Sequence, residues 1–141
     1  MESMVMKNGN SLRKVSIALL IINGVGALFG GIALTADPSG KSIQMPLDML
    51  RHSPFSDYFI PGMILLVILG GGSLAASFVA IKKLRGYPTV VAIIGVALTI
   101  WIVVEVLMIQ SVHYLHIIFG GIGVALIILG EIQRKKEEPG L

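Results

Sequence analysis

Long apolar runs separated by short polar punctuation dominate the chain. Four of them extend from about Val15 to Thr35, Tyr58 to Ile81, Pro88 to Ile109 and Tyr114 to Ile132. Each is long enough to cross roughly 30 Å of hydrocarbon, which takes about 20 helical residues. None of the runs alternates with a period of two, and an open sheet edge in lipid would leave backbone groups unpaired, so they predict helices. The expected fold is an all-α integral membrane protein, with residues 1–141 forming one antiparallel four-transmembrane-helix bundle.

The connections between the runs differ. Lys82 to Tyr87 predicts a tight turn, with Gly86 ending one helix and Pro88 suited to the first turn of the next. The turn around Gln110 to His113 is shorter still. By contrast, Ala36 to Asp57 is a long connection, and loops of that length in compact domains are commonly functional. Within it, Met45 to His52 reads as a short amphipathic segment that would lie across the mouth of the bundle. Ser56 or Asp57 is placed to cap the second helix, with Pro61 tolerated in its first turn.

Composition agrees with lipid as the solvent: 55% of residues are hydrophobic, 13% are charged, and the mean hydropathy is +0.87. A soluble domain of 141 residues has too little interior for so much apolar side chain. Arg13 and Lys14 precede the first run, as in a secretory signal. Its apolar stretch exceeds the usual signal core, however, and Asp37-Pro38-Ser39 is a poor processing site, so a retained anchor is expected.

Charge sets the expected orientation. Of the 11 basic residues, Lys7, Arg13, Lys14, Lys82, Lys83, Arg85, Arg134, Lys135 and Lys136 fall on one side of the runs, against Lys41 and Arg51 on the other. Basic residues near helix ends are retained in the cytoplasm, which predicts both termini inside, a long first extracytoplasmic loop and residence in the cell membrane. Topology thus accounts for the net charge of +3, with membrane lipids as partners and no nucleic acid. The absence of cysteine removes disulfides, thiol redox chemistry and thiolate ligands.

Glycine spacing points to close helix contact. Gly26 and Gly30 form a small-xxx-small pair in the first run, Gly70 and Gly71 lie in the second, and Gly120, Gly121 and Gly123 in the fourth. These positions suit packing within the bundle, or association with a second copy or another membrane protein. They are not phosphate loops, because no strand precedes them and no Lys-Ser/Thr follows. Asn23, inside the first run, is expected to hydrogen-bond across the bundle.

The residue that draws most attention is Glu105. It lies about 25 Å along the third helix from Pro88 and is flanked by Val103, Val104, Val106 and Leu107. An ionised carboxylate there must face the interior, find a partner or reach outward. If the chain reverses near Ser111, His116 returns to the depth of Glu105. His113 shares a helical face with His116, Gln110 sits above them, Trp101 lies one turn before Glu105, and His52 and Asp57 approach from the long loop.

These residues form either a structural polar cluster at the interface or, as ligand-binding candidates, an outer-half polar pocket. The two histidines at this spacing, without a close carboxylate, are a weak metal motif, so neither a metal nor a cofactor is expected. Three function classes follow. The first is a small membrane interaction or accessory protein that recognises a lipid headgroup or small polar ligand. The second is a cation- or proton-coupled transporter acting as an oligomer, although Glu105 lies away from the midplane usual for such sites. The third is a lipid- or isoprenoid-modifying enzyme using Glu105 and His116 as acid and base, for which no catalytic motif is present.

Overall fold

The computed structural model describes residues 2–41, 47–51, 53–109 and 114–137. It is all-helical there, with four helices long and apolar enough to cross a membrane. Helix α1 spans Glu2–Ala36, α2 spans Phe59–Ile81, α3 spans Tyr87–Ile109 and α4 spans Tyr114–Glu137. Two ends extend beyond the sequence expectation. α1 begins at Glu2 instead of near Val15, and α4 continues past Ile132 to Glu137. The C-terminal flank is made of good helix formers, and Arg134, Lys135 and Lys136 suit the negative end of the α4 dipole, whereas Asn8-Gly9-Asn10 of the N-terminal flank has low helix propensity and only prolongs the helix of the apolar run.

The helices run alternately up and down, and each packs on its chain neighbours, with α4 closing the ring against α1. The tight turn after α2 is built as its sequence requires. Gly86 has φ +85°, which a side chain would strain, and Pro88 sits in the first turn of α3, where its missing N–H costs no helical bond. At the opposite end, the described part of the amphipathic segment expected over Met45 to His52 contains a 3₁₀ turn, Leu47–Leu50, which packs against α3; Met45, Pro46 and His52 lie outside the described residues. Leu50 joins Leu34 and Tyr58 in a small apolar cluster over that mouth.

The second helix is not α-helical throughout. Ile64–Gly71 is wound as a π-helix between the α-helical segments Phe59–Met63 and Gly72–Ile81. Along the bundle axis, two apolar clusters form the core. Leu20, Ala76, Val91, Ile94 and Leu126 make one, and Ala27, Leu69, Leu98 and Trp101 make the other.

Glycine brings backbones together along two seams. A β-carbon on Gly31 would fall 2.7 Å from the Leu66 backbone, and one on Gly24 would fall 2.9 Å from Leu74, joining α1 to α2. Between α3 and α4, a β-carbon on Gly95 would fall 2.7 Å from the Gly123 carbonyl and the Ile127 nitrogen. One on Gly130 would lie 2.7 Å from Ala92 and the Pro88 carbonyl.

Among the glycines singled out by spacing, Gly70 closes on Leu28 and Gly123 on Thr99 and Gly95, while Gly30 has Leu65 at 3.1 Å. Gly26 and Gly120 meet only ordinary contacts at 3.6 Å, Gly71 has its nearest neighbour at 3.8 Å, and Gly121 has open space. The close approaches of α1 to α2 therefore fall on Gly24 and Gly31 of α1 and on Gly62 and Gly70 of α2, and not on Gly26.

Candidate functional site

Every fourth or third residue of α3 from Val91 through Ile94, Leu98 and Trp101 is buried, and Glu105 continues that stripe one turn further. On α4 the corresponding stripe runs back from Gly130 through Leu126 and Gly123 to His116. Because α3 and α4 are antiparallel neighbours locked at Gly95 and Gly123, these two stripes end opposite one another at the mouth nearest the Ala36 to Phe59 connection. The His116 Nε2 to Glu105 Oε2 distance is 3.2 Å.

The pair is unequally enclosed. The His116 side chain is 9% exposed and that of Glu105 is 26% exposed, so the imidazole is enclosed and the carboxylate is the accessible member of the pair. Trp101 donates a side-chain hydrogen bond to Glu105 from one turn below, and its ring is packed with Ala27, Leu69 and Leu98. One carboxylate thus accepts from the packed Trp101 indole and lies 3.2 Å from the enclosed imidazole. A carboxylate offers about four acceptor positions, which leaves capacity for a further donor.

The other candidates lie differently. Asp57 accepts the Phe59 N–H at 3.0 Å, which ties it to the start of α2. His52, Gln110 and His113 fall outside the described residues. Among the described residues, no three His, Cys, Asp or Glu side chains gather in a way that could hold a metal ion. Asn23 sits deeper, donating to Ser73 Oγ at 2.8 Å across the α1–α2 seam.

A second polar level, at the end carrying the described termini, was not anticipated from the sequence. The Gln133 amide donates to Ser16 Oγ at 2.9 Å and to the Leu129 carbonyl at 3.0 Å. Its carbonyl oxygen accepts from the Tyr87 hydroxyl at 2.9 Å. Ser16 in turn donates to the Leu12 carbonyl. Beside this, the Arg13 guanidinium donates to the Ala80 carbonyl at 3.1 Å, capping α2. One glutamine therefore links α1, α3 and α4, and one arginine adds α2. The available signal was Gln133 itself, which falls seven residues after Leu126 on the buried stripe but lies just beyond the expected end of the fourth helix.

No family model, curated protein or solved structure matches this chain, so the chemistry of its own residues bears alone on its role.

Proposed function

We propose that this chain is a small polytopic membrane interaction protein which recognises a lipid headgroup or small polar ligand at the Glu105–His116 site. It sits in the cell membrane with both termini cytoplasmic and the Ala36 to Phe59 connection outside. The observation that carries the reading is the half-open carboxylate, held by Trp101 and backed by a buried imidazole at 3.2 Å. A carboxylate needed only to join two helices would gain by being closed off, whereas one held in place and left accessible is prepared for a third group.

The interior weighs against the transport reading. Between the two polar levels lie the fully buried Leu20, Leu69, Leu98 and Leu126, and the Asn23 amide and Ser73 hydroxyl there are bonded to each other. An ion needs water or polar groups along its whole route. The acid–base enzyme reading has a carboxylate and an imidazole but, among the described residues, no metal-binding cluster to accompany them.

Two measurements bear on this proposal. The first compares wild type, Glu105→Gln and His116→Ala, in detergent or nanodiscs, for binding of lipids, small cations and small polar ligands. At least one ligand class is expected to bind wild type and to bind Glu105→Gln roughly tenfold or more weakly, because the charged acceptor is lost while the shape is kept. If wild type binds none of them and both variants keep native stability, the site has no recognition role. The second measurement is topological. Reporters fused at Met1 and Leu141 are expected on the cytoplasmic side and one at Ser42 outside, following the bias of the basic residues. A C-terminal reporter on the outside would overturn the orientation.

A further inference from the structure

The donor and acceptor inventory of the site narrows the ligand further, in an inference that rests on the recognition reading above. Glu105 supplies acceptors only when ionised, and its partners Trp101 and His116 already act as donors toward it. Among the described residues, no lysine or arginine forms an ion pair with Glu105. A phosphate or carboxylate ligand would therefore face a carboxylate with one imidazole to offset the repulsion. A cationic donor meets the opposite situation.

We propose that the Glu105–His116 site takes a primary ammonium group, either from a free small amine or from the ethanolamine headgroup of a phospholipid. Three features favour this group over a metal ion or a quaternary ammonium. A metal ion would demand several protein ligands, and the described residues gather no such set. A primary ammonium carries three N–H donors, so it is satisfied by the open oxygen positions of one carboxylate together with water. A quaternary ammonium has no N–H and cannot use those positions.

The depth of the site also fits. Glu105 continues the buried stripe of α3 near its end at the mouth and is 26% exposed, and the exposed Tyr114 begins α4 at that same end. A water-borne amine or a headgroup at the interface reaches that level without crossing the hydrocarbon. In this arrangement Glu105 is the group that touches the ligand. Trp101 and His116 are positioning residues, since each acts by holding the carboxylate.

The chain contains a single tryptophan, and Trp101 is hydrogen-bonded to Glu105, so its fluorescence reports on the carboxylate directly. The test is a titration of wild-type protein in phosphatidylcholine bicelles with ethanolamine, its N-methylated series up to choline, and inorganic phosphate. A second arm uses bicelles containing phosphatidylethanolamine or phosphatidylglycerol. The expected result is a saturable fluorescence change with ethanolamine that weakens stepwise as N–H is replaced by N–CH₃. Glu105→Gln should weaken it about tenfold or more.

A response to phosphatidylethanolamine and to free ethanolamine assigns the site to amines generally; a response to the lipid alone assigns it to the headgroup. The methylation series uses unmodified protein, so a poorly folding Glu105→Gln leaves the test intact. Equal responses to ethanolamine and choline, or a Glu105-dependent preference for phosphatidylglycerol or phosphate, would overturn the amine assignment while the recognition reading stands. No response to any of these probes, together with no Glu105-dependent binding across the wider ligand panel, would overturn both.

Discussion

Gly130→Leu is expected to destabilise the protein by roughly 1–3 kcal/mol or more, the range for forcing atoms into a packed site that cannot yield. The first added carbon would already fall 2.7 Å from the Ala92 nitrogen and the Pro88 carbonyl. Both belong to backbone, in the first turns of α3, so no rotamer change relieves the clash. The α3–α4 seam must open, and Gly95→Leu should act alike because its β-carbon would meet the Gly123 carbonyl and Ile127 nitrogen at the same separation. Gly121→Leu is the control, since nothing lies within 4 Å of its β-carbon and it faces outward. Thermal or denaturant unfolding in detergent measures all three. Equal loss at positions 121 and 130 would mean that the seam is not where stability resides.

Gln133→Leu is expected to cost about 1–3 kcal/mol, because it strands two partners at once. The part-buried Tyr87 hydroxyl loses its Gln133 acceptor, and the buried Ser16 loses its Gln133 donor while keeping its bond to the Leu12 carbonyl. Single interhelical hydrogen bonds in membranes average about 0.6 kcal/mol and reach roughly 1.7 kcal/mol. The larger figure here arises from the unsatisfied groups left behind. That distinction supplies the check. In a Tyr87→Phe, Ser16→Ala background the same Gln133→Leu change should cost much less, since little remains to be stranded, giving a clear coupling in a mutant cycle. Additive losses would show that the three side chains do not act as a unit.

Much of the framework could be read directly from the chain. Four apolar runs defined four helices because lipid imposes a length on them, and the hairpin between Glu105 and His116 could be folded on paper, since equal numbers of residues on either side of a reversal return to equal depth. Trp101 followed from one helical turn. Other features depend on how helices rotate against one another, which a uniformly apolar sequence does not record. Of the glycines marked by spacing, Gly30, Gly70 and Gly123 make tight contacts and Gly26, Gly71, Gly120 and Gly121 do not, while Gly24, Gly31 and Gly95 pack closely as well; small residues occur in several registers, and the neighbouring helix selects among them. Gln133 escaped notice for a different reason. The apolar run ends at Ile132, so the residue that joins three helices falls immediately beyond the segment that membrane partition makes visible. The ligand is harder again to read, because one carboxylate, one imidazole and one indole make no motif.

The π-wound stretch Ile64–Gly71 has a consequence for how the chain tolerates change in length. Its backbone bonds reach one residue further than those of an α-helix, so the segment stores chain that an ordinary helix of the same height would not contain. On one side of it Gly62 meets Leu34, and on the other Ser73 meets Asn23. An ordinary α-helix would also put Gly62 and Ser73 on one face, since the eleven steps between them make about three turns, so the surplus concerns length and not phase. A chain one residue shorter within 64–71 would still span the same height as α-helix, but Leu66 and Gly70, which meet Gly31 and Leu28, would shift against α1.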